Sequence, residues 1–127
     1  MNDEKVDFSK FGKSFQDKLA HLILQERTFC DQMQEVLAIG FFELKYLQVF
    51  VQKIFAYRQK YETHPTYEIM TTILRSELED ENEAVRKQTR DFLARSLVSK
   101  EIQEAEYIKD VSLDFCKKQK LKEAMIK

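Results

Sequence analysis

Only two glycines and one proline, Gly12, Gly40 and Pro65, interrupt this chain of 127 residues. Sheets are closed by turns, and turns draw on glycine, proline, asparagine and aspartate. A chain with so few breakers has little with which to build a sheet. Its long uninterrupted stretches are rich in Leu, Lys, Glu, Gln and Ala, which favour helix. The expected fold is all-α. Ten phenylalanines and five tyrosines are many for a helical chain, so the core is expected to contain many rings.

Apolar periodicity divides the chain. Residues 1–14 show no helical period and are expected to form a flexible lead-in. Phe15, Leu19, Leu22 and Ile23 then recur at helical spacing, and Phe29, Met33, Val36 and Leu37 repeat the pattern before Gly40. The segment "FFELKYLQVFVQKIFAYRQKYE" carries Leu44, Leu47, Phe50, Val51, Ile54, Phe55 and Tyr61 on a broad apolar face. A helix apolar over most of its circumference belongs in the middle of a domain. Pro65 disfavours helix at His64, so the helix ends ahead of it, and Thr66 can cap a new one. Ile69, Met70, Ile73 and Leu74 give that helix its buried face. After the acidic run "ELEDENE" come Val85, Phe92, Leu93 and Leu97, the apolar side of a fifth helix. The last segment, from about residue 101 to 127, has no breaker. Its apolar stripe, Tyr107, Ile108, Val111, Phe115, Met125 and Ile126, is interrupted by Lys118 and Lys122.

Candidate chemistry is sparse. Gly12-Lys13-Ser14 imitates the end of a phosphate-binding loop, G-x-x-x-x-G-K-[ST]. Asp7 stands where that loop needs its first glycine, and a carboxylate there would face the phosphates with the wrong charge. The residues before it are polar, whereas the loop should follow a buried strand. Gly12 is read instead as the junction into the first helix, with Ser14 as its N-cap. His21 and His64 have no ligand partners at metal-binding spacing. No nucleophile–base pair is recognisable, so no catalytic, cofactor-binding or metal-binding residue is expected. Cys30 and Cys116 lie in no CxxC or Cys/His cluster and read as buried free thiols in a reducing compartment. No apolar run could serve as a signal peptide or cross a bilayer, which points to a cytoplasmic protein. The net charge of −1 argues against general nucleic-acid binding. The basic tail with Lys117, Lys118, Lys120 and Lys122 could touch DNA phosphates, but it reads first as a solvated helix surface.

The order of motifs goes further. The stretch "KLAHLILQERTFCDQMQEVLAIGFFELKYLQVFVQKIFAYRQKYETHPTYEIMTTIL" resembles the N-terminal domain of DnaB-type replicative DNA helicases, especially phage members. Leu22, Ile23 and Leu24 match the first helix of that domain, and Phe41 and Phe42 match its aromatic pair. Val49 and Phe50 match an aliphatic-aromatic step, and Pro65-Thr66 matches a turn. The closing "YIKDVSLDFCKKQKLKEAMIK" looks like the first arm of the family's helical hairpin. Tyr46 and Gln48 occupy a region where bacterial members usually carry a histidine. The resemblance implies a helical head over 15–100 and a hairpin arm, apparently truncated, over 101–127. It further implies a collar domain without activity of its own, whose hairpins pair between subunits as dimers or a trimer of dimers. Primase or a helicase loader would be the partner, DNA contact would be weak or absent, and no membrane would be involved. ATP and Mg²⁺ would belong only to a motor domain absent from this chain. The location would be the cytoplasm, or the host cytoplasm if the protein is viral. On this reading Tyr107, Ile108, Val111, Phe115, Met125 and Ile126 form the subunit interface, and Phe115→Asp should abolish assembly without loss of helicity. The alternative is a stand-alone helical adaptor, a loader or primase-binding protein without a motor.

Overall fold

In the computed structural model, which describes residues 6–126, the breaker-poor stretches fold as six helices. They are α1 (Lys13–Gln25), α2 (Arg27–Val36), α3 (Lys45–Tyr61), α4 (Tyr67–Ser76), α5 (Glu83–Val98) and α6 (Ala105–Ile126). Short 3₁₀ turns at Ser9–Phe11 and Ile39–Phe41 precede α1 and α3. There is no strand among the described residues, and the all-α expectation holds, as does the long C-terminal helix.

Two helices organise the packing. Helix α1 touches α2, α3 and α6, while α3 leans on α1 and α5, and α4 packs on α5. The sequence of neighbours therefore runs from α6 and α2, through α1 and α3, to α5 and α4. Leu19, Leu22 and Ile23 of α1 and Leu47, Phe50, Val51 and Ile54 of α3 are fully buried where the two sides meet. The broad apolar face of α3 does lie in the middle, except that Tyr61, in its last turn, is exposed.

Helix ends follow local chemistry. The Thr66 hydroxyl accepts a hydrogen bond from the Ile69 N–H at 3.0 Å, the cap expected after Pro65. Asn82 does the same for α5, accepting from the Val85 N–H at 2.8 Å. At α1 the expectation fails. The helix starts two residues early, at Lys13, and Gly12, not Ser14, is its N-cap, without a side-chain cap. Gly12 has φ of +89°, a conformation that side chains resist, so this junction needs glycine.

The N-terminal segment departs most from expectation. Phe8 is fully buried, and its N–H donates to the Phe41 carbonyl at 2.8 Å. Its ring lies 5.6 Å from Phe41, 5.3 Å from Phe42 and 5.2 Å from Phe115. The lead-in expected over 1–14 is therefore anchored from Phe8 onward, with Phe8 in the core and Phe11 packed against it; residues 1–5 lie outside the described residues. The buried Gln16 side chain fastens this segment. Its Oε1 accepts from the Glu43 N–H at 2.7 Å, and its Nε2 donates to the Gly12 carbonyl at 3.2 Å. Phe41 and Phe42 do not open the third helix as expected. They sit at a 3₁₀ turn, where both rings reach Phe8, and α3 begins at Lys45. Similarly, α6 begins at Ala105 rather than near residue 101, after Glu104 with φ of +62°. The Glu104 carboxylate is held by Lys18 at 3.0 Å.

Candidate functional site

Both histidines are engaged by neighbouring groups. The His21 Nε2 meets the Tyr67 hydroxyl at 2.8 Å, and burial lowers the basicity of the ring. His64 is held between Arg58, whose guanidinium lies 2.7 Å from Nδ1, and the Leu24 carbonyl, 2.6 Å from Nε2. Because arginine can only donate, Nδ1 must accept and Nε2 must carry the proton. Arg58 in turn pairs with Asp31. Cys30 and Cys116 are free and buried, and burial pushes their thiols up to about 11 and about 12. Thiols at those values carry almost no thiolate near neutrality and are poor nucleophiles. Among the described residues no group of three or more His, Cys, Asp or Glu is placed to hold a metal ion. No described helix is long and apolar enough to cross a membrane. Lys13 and Ser14 open α1 after a 3₁₀ turn, not after a strand.

The surface of α6 is the remaining candidate, and the structure divides the expected stripe. Ile108 and Phe115 are 3% and 8% exposed, packed into this chain's own core. Phe115 joins the cluster of Phe8, Phe11 and Phe41. These two residues are therefore not a free interface, and Phe115→Asp would place a carboxylate among rings rather than disrupt assembly alone. Tyr107 and Met125 are 65% and 76% exposed, and Val111 lies at the boundary. The side chain of Ile126 lies outside the described residues. The division has a simple cause. Successive helical residues turn by about 100°, so Tyr107 and Ile108 point in directions a quarter-turn or more apart.

A second seam becomes visible once the buried residues are set aside. Tyr107, Val111, Asp114, Lys118, Leu121 and Met125 follow alternating steps of four and three residues, the spacing of a coiled-coil stripe. Leu121 is 61% exposed and belongs to this seam, although in sequence it stands alone between Lys120 and Lys122. Asp114 and Lys118, which break the apolar character at the centre, pair with each other at 3.0 Å. The seam is also symmetric about Cys116. At equal steps on either side stand Asp114 and Lys118, then Val111 and Leu121, then Tyr107 and Met125. Opposite charges mirror each other, and apolar residues mirror apolar residues.

The base of the helix is fixed. Lys109 binds Glu26, the single residue between α1 and α2, at 2.8 Å, and Glu106 at 2.8 Å. Lys120 donates to the Glu35 carbonyl at 2.6 Å. Of the four tail lysines, Lys118 and Lys120 thus already have partners, while Lys117 and Lys122 are exposed. In comparisons with known proteins, no family model, no curated protein and no solved structure matches the chain.

Proposed function

We propose that this chain is the N-terminal collar domain of a DnaB-type replicative DNA helicase, and that the exposed seam of α6 joins it to a second copy. The motif order from Leu22 to Thr66 supports the family, and the symmetry of the seam supports the mode of assembly. Two such helices running antiparallel about a two-fold axis at the level of Cys116, on the opposite face of the helix, bring Tyr107 against Met125 and Val111 against Leu121 of the second copy. The same register sets each Asp114 opposite a Lys118. A parallel pairing would instead set Asp114 against Asp114 and Lys118 against Lys118. The self-complementary seam is the observation that carries the reading.

In this role the domain hydrolyses nothing. It arranges a ring in the cytoplasm, contacts primase or a loader, and touches DNA weakly or not at all. ATP and Mg²⁺ act in the motor. Light scattering tests the assembly. Leu121→Glu and Lys118→Asp should each shift the protein toward monomer while circular dichroism stays unchanged. The double exchange Asp114→Lys with Lys118→Asp should restore pairing. An oligomer size indifferent to all three would refute the seam. Reading the gene beyond codon 127 tests the family. A downstream G-x-x-x-x-G-K-[ST] sustains the helicase, whereas a stop codon there leaves the adaptor.

A further inference from the structure

The other side of the molecule carries a different surface. Two adjoining grooves, of about 410 and 400 Å³, run between α4 and α5. Arg75 from α4 and Arg90 from α5 line both grooves and mark where they meet. Arg86, one turn before Arg90, lies in the first groove, and Leu93, Ala94 and Leu97 lie in the second. Among the described residues, none of the three guanidinium groups forms an ion pair with a carboxylate. Glu79 and Glu83 line only the first groove, and Asp91, in the second, is taken by Lys87 at 2.8 Å. The middle is therefore cationic and the Leu97 end is apolar. From Arg86 to Leu97 the surface extends ~16 Å at the rise of an α-helix, the length of about three helical turns.

We infer that the α4/α5 groove docks an acidic amphipathic helix of a partner protein. The partner's apolar side chain fills the pit of Leu93, Ala94 and Leu97. Carboxylates one turn away, at i+3 or i+4, meet Arg75 and Arg90. Arginine suits this task, because its planar fork binds a carboxylate through two parallel hydrogen bonds. Arginine beside well-packed apolar contacts is also the composition of binding hot spots. A nucleic-acid strand fits less well. The apolar pit of Leu93, Ala94 and Leu97 offers nothing to a phosphate backbone, whereas it suits the apolar face of a helix. The groove lies on α4 and α5, apart from the α6 seam, so neither surface depends on the other.

The test is an NMR titration of the whole isotopically labelled chain with a synthetic alanine-based helix carrying Leu and Glu at i and i+4 along one face. The amides of Arg75, Arg90, Ala94 and Leu97 should shift, and 0.5 M salt should weaken binding. Arg90→Glu, an exposed site, should leave the circular dichroism unchanged and weaken binding on the order of tenfold. A control helix with Gln in place of Glu should bind on the order of tenfold more weakly as well. The inference is overturned if the Gln helix binds equally well, if Arg90→Glu changes nothing, or if the shifts map elsewhere. Absence of binding at millimolar peptide, or tighter binding of a DNA duplex, would overturn it too.

Discussion

Replacing Phe8 with alanine should destabilise the protein more than almost any other change near the N-terminus. The ring is fully buried, touches Phe41, Phe42 and Phe115 at centroid distances of 5.6, 5.3 and 5.2 Å, and lies 6.2 Å from Phe11. Truncation of a buried phenylalanine to alanine costs about 3–5 kcal/mol, because lost transfer energy adds to an unfilled cavity. Net stability of a domain is about 5–15 kcal/mol, so this one ring accounts for a large share of it. With a urea slope of about 2 kcal/mol/M, the midpoint should fall by about 2 M. Lys10→Ala is the control. Its ammonium lies over Phe11 and Phe115 at 5.3 and 5.4 Å, but it is exposed, and such contacts are worth about 0.5–1 kcal/mol. A Phe8–Phe115 double-mutant cycle should show coupling of about 1 kcal/mol, as expected for touching rings. If Phe8→Ala costs less than about 1 kcal/mol, below any core phenylalanine, the segment before α1 does not belong to the core and the reasoning fails.

Two further outcomes follow from single side chains. Gln16→Met keeps the volume but leaves the Glu43 N–H without its acceptor, and should cost about 1–2 kcal/mol in the same urea assay. His64 should make stability depend on pH. Burial chiefly lowers its pKa from the ordinary 6.5, with Arg58 and Arg27 adding to the effect, against the Leu24 carbonyl and Asp31. Below pH 6.5 the unfolded chain therefore binds the proton more readily than the folded one. The full contribution is present above 6.5 and is lost as the pH falls through the lower folded value. His21, lowered by burial, adds in the same direction. Urea midpoints at pH 7.5 and pH 5 should differ, and His64→Gln should reduce the difference; an unchanged difference would show that His64 is not its source.

What could be read in the sequence was local. Helices α1, α3 and α4 follow from apolar spacing, and the Thr66 cap follows from its place after Pro65. What could not be read depended on distant partners. Phe8 is one ring in a polar stretch, and nothing nearby announces that Phe41, Phe42 and Phe115 surround it. The stripe on α6 was visible, but its width hid a boundary. Only the packing of α1 and α2 against α6, and of Phe8, Phe11 and Phe41 against Phe115, reveals that Tyr107, Leu121 and Met125 face the other way. The arginine groove escaped for a similar reason. Arg75 is separated from Arg86 and Arg90 by the acidic run "ELEDENE", which draws attention to the opposite charge.

The strength of the α6 seam bears on what it can do. Pairing would cover Tyr107, Leu121 and Met125 on each of two copies. At about 1.5 kcal/mol for each of these mostly exposed side chains, the gross gain is about 9 kcal/mol. Association costs about 4–15 kcal/mol in lost freedom, so the isolated pair sits near the threshold of stability. The central Asp114 and Lys118 add little, because exposed ion pairs are worth at most about 1 kcal/mol and each is already paired within its own helix. They choose the antiparallel register more than they strengthen it. A seam of this kind holds weakly on its own and firmly when other contacts keep the two copies close, since linkage raises the effective concentration. That behaviour suits the proposed collar, whose subunits would also be joined through a motor ring. It predicts that dissociation of the isolated domain by Leu121→Glu is far easier to detect than any loss of the same contact in a complete ring.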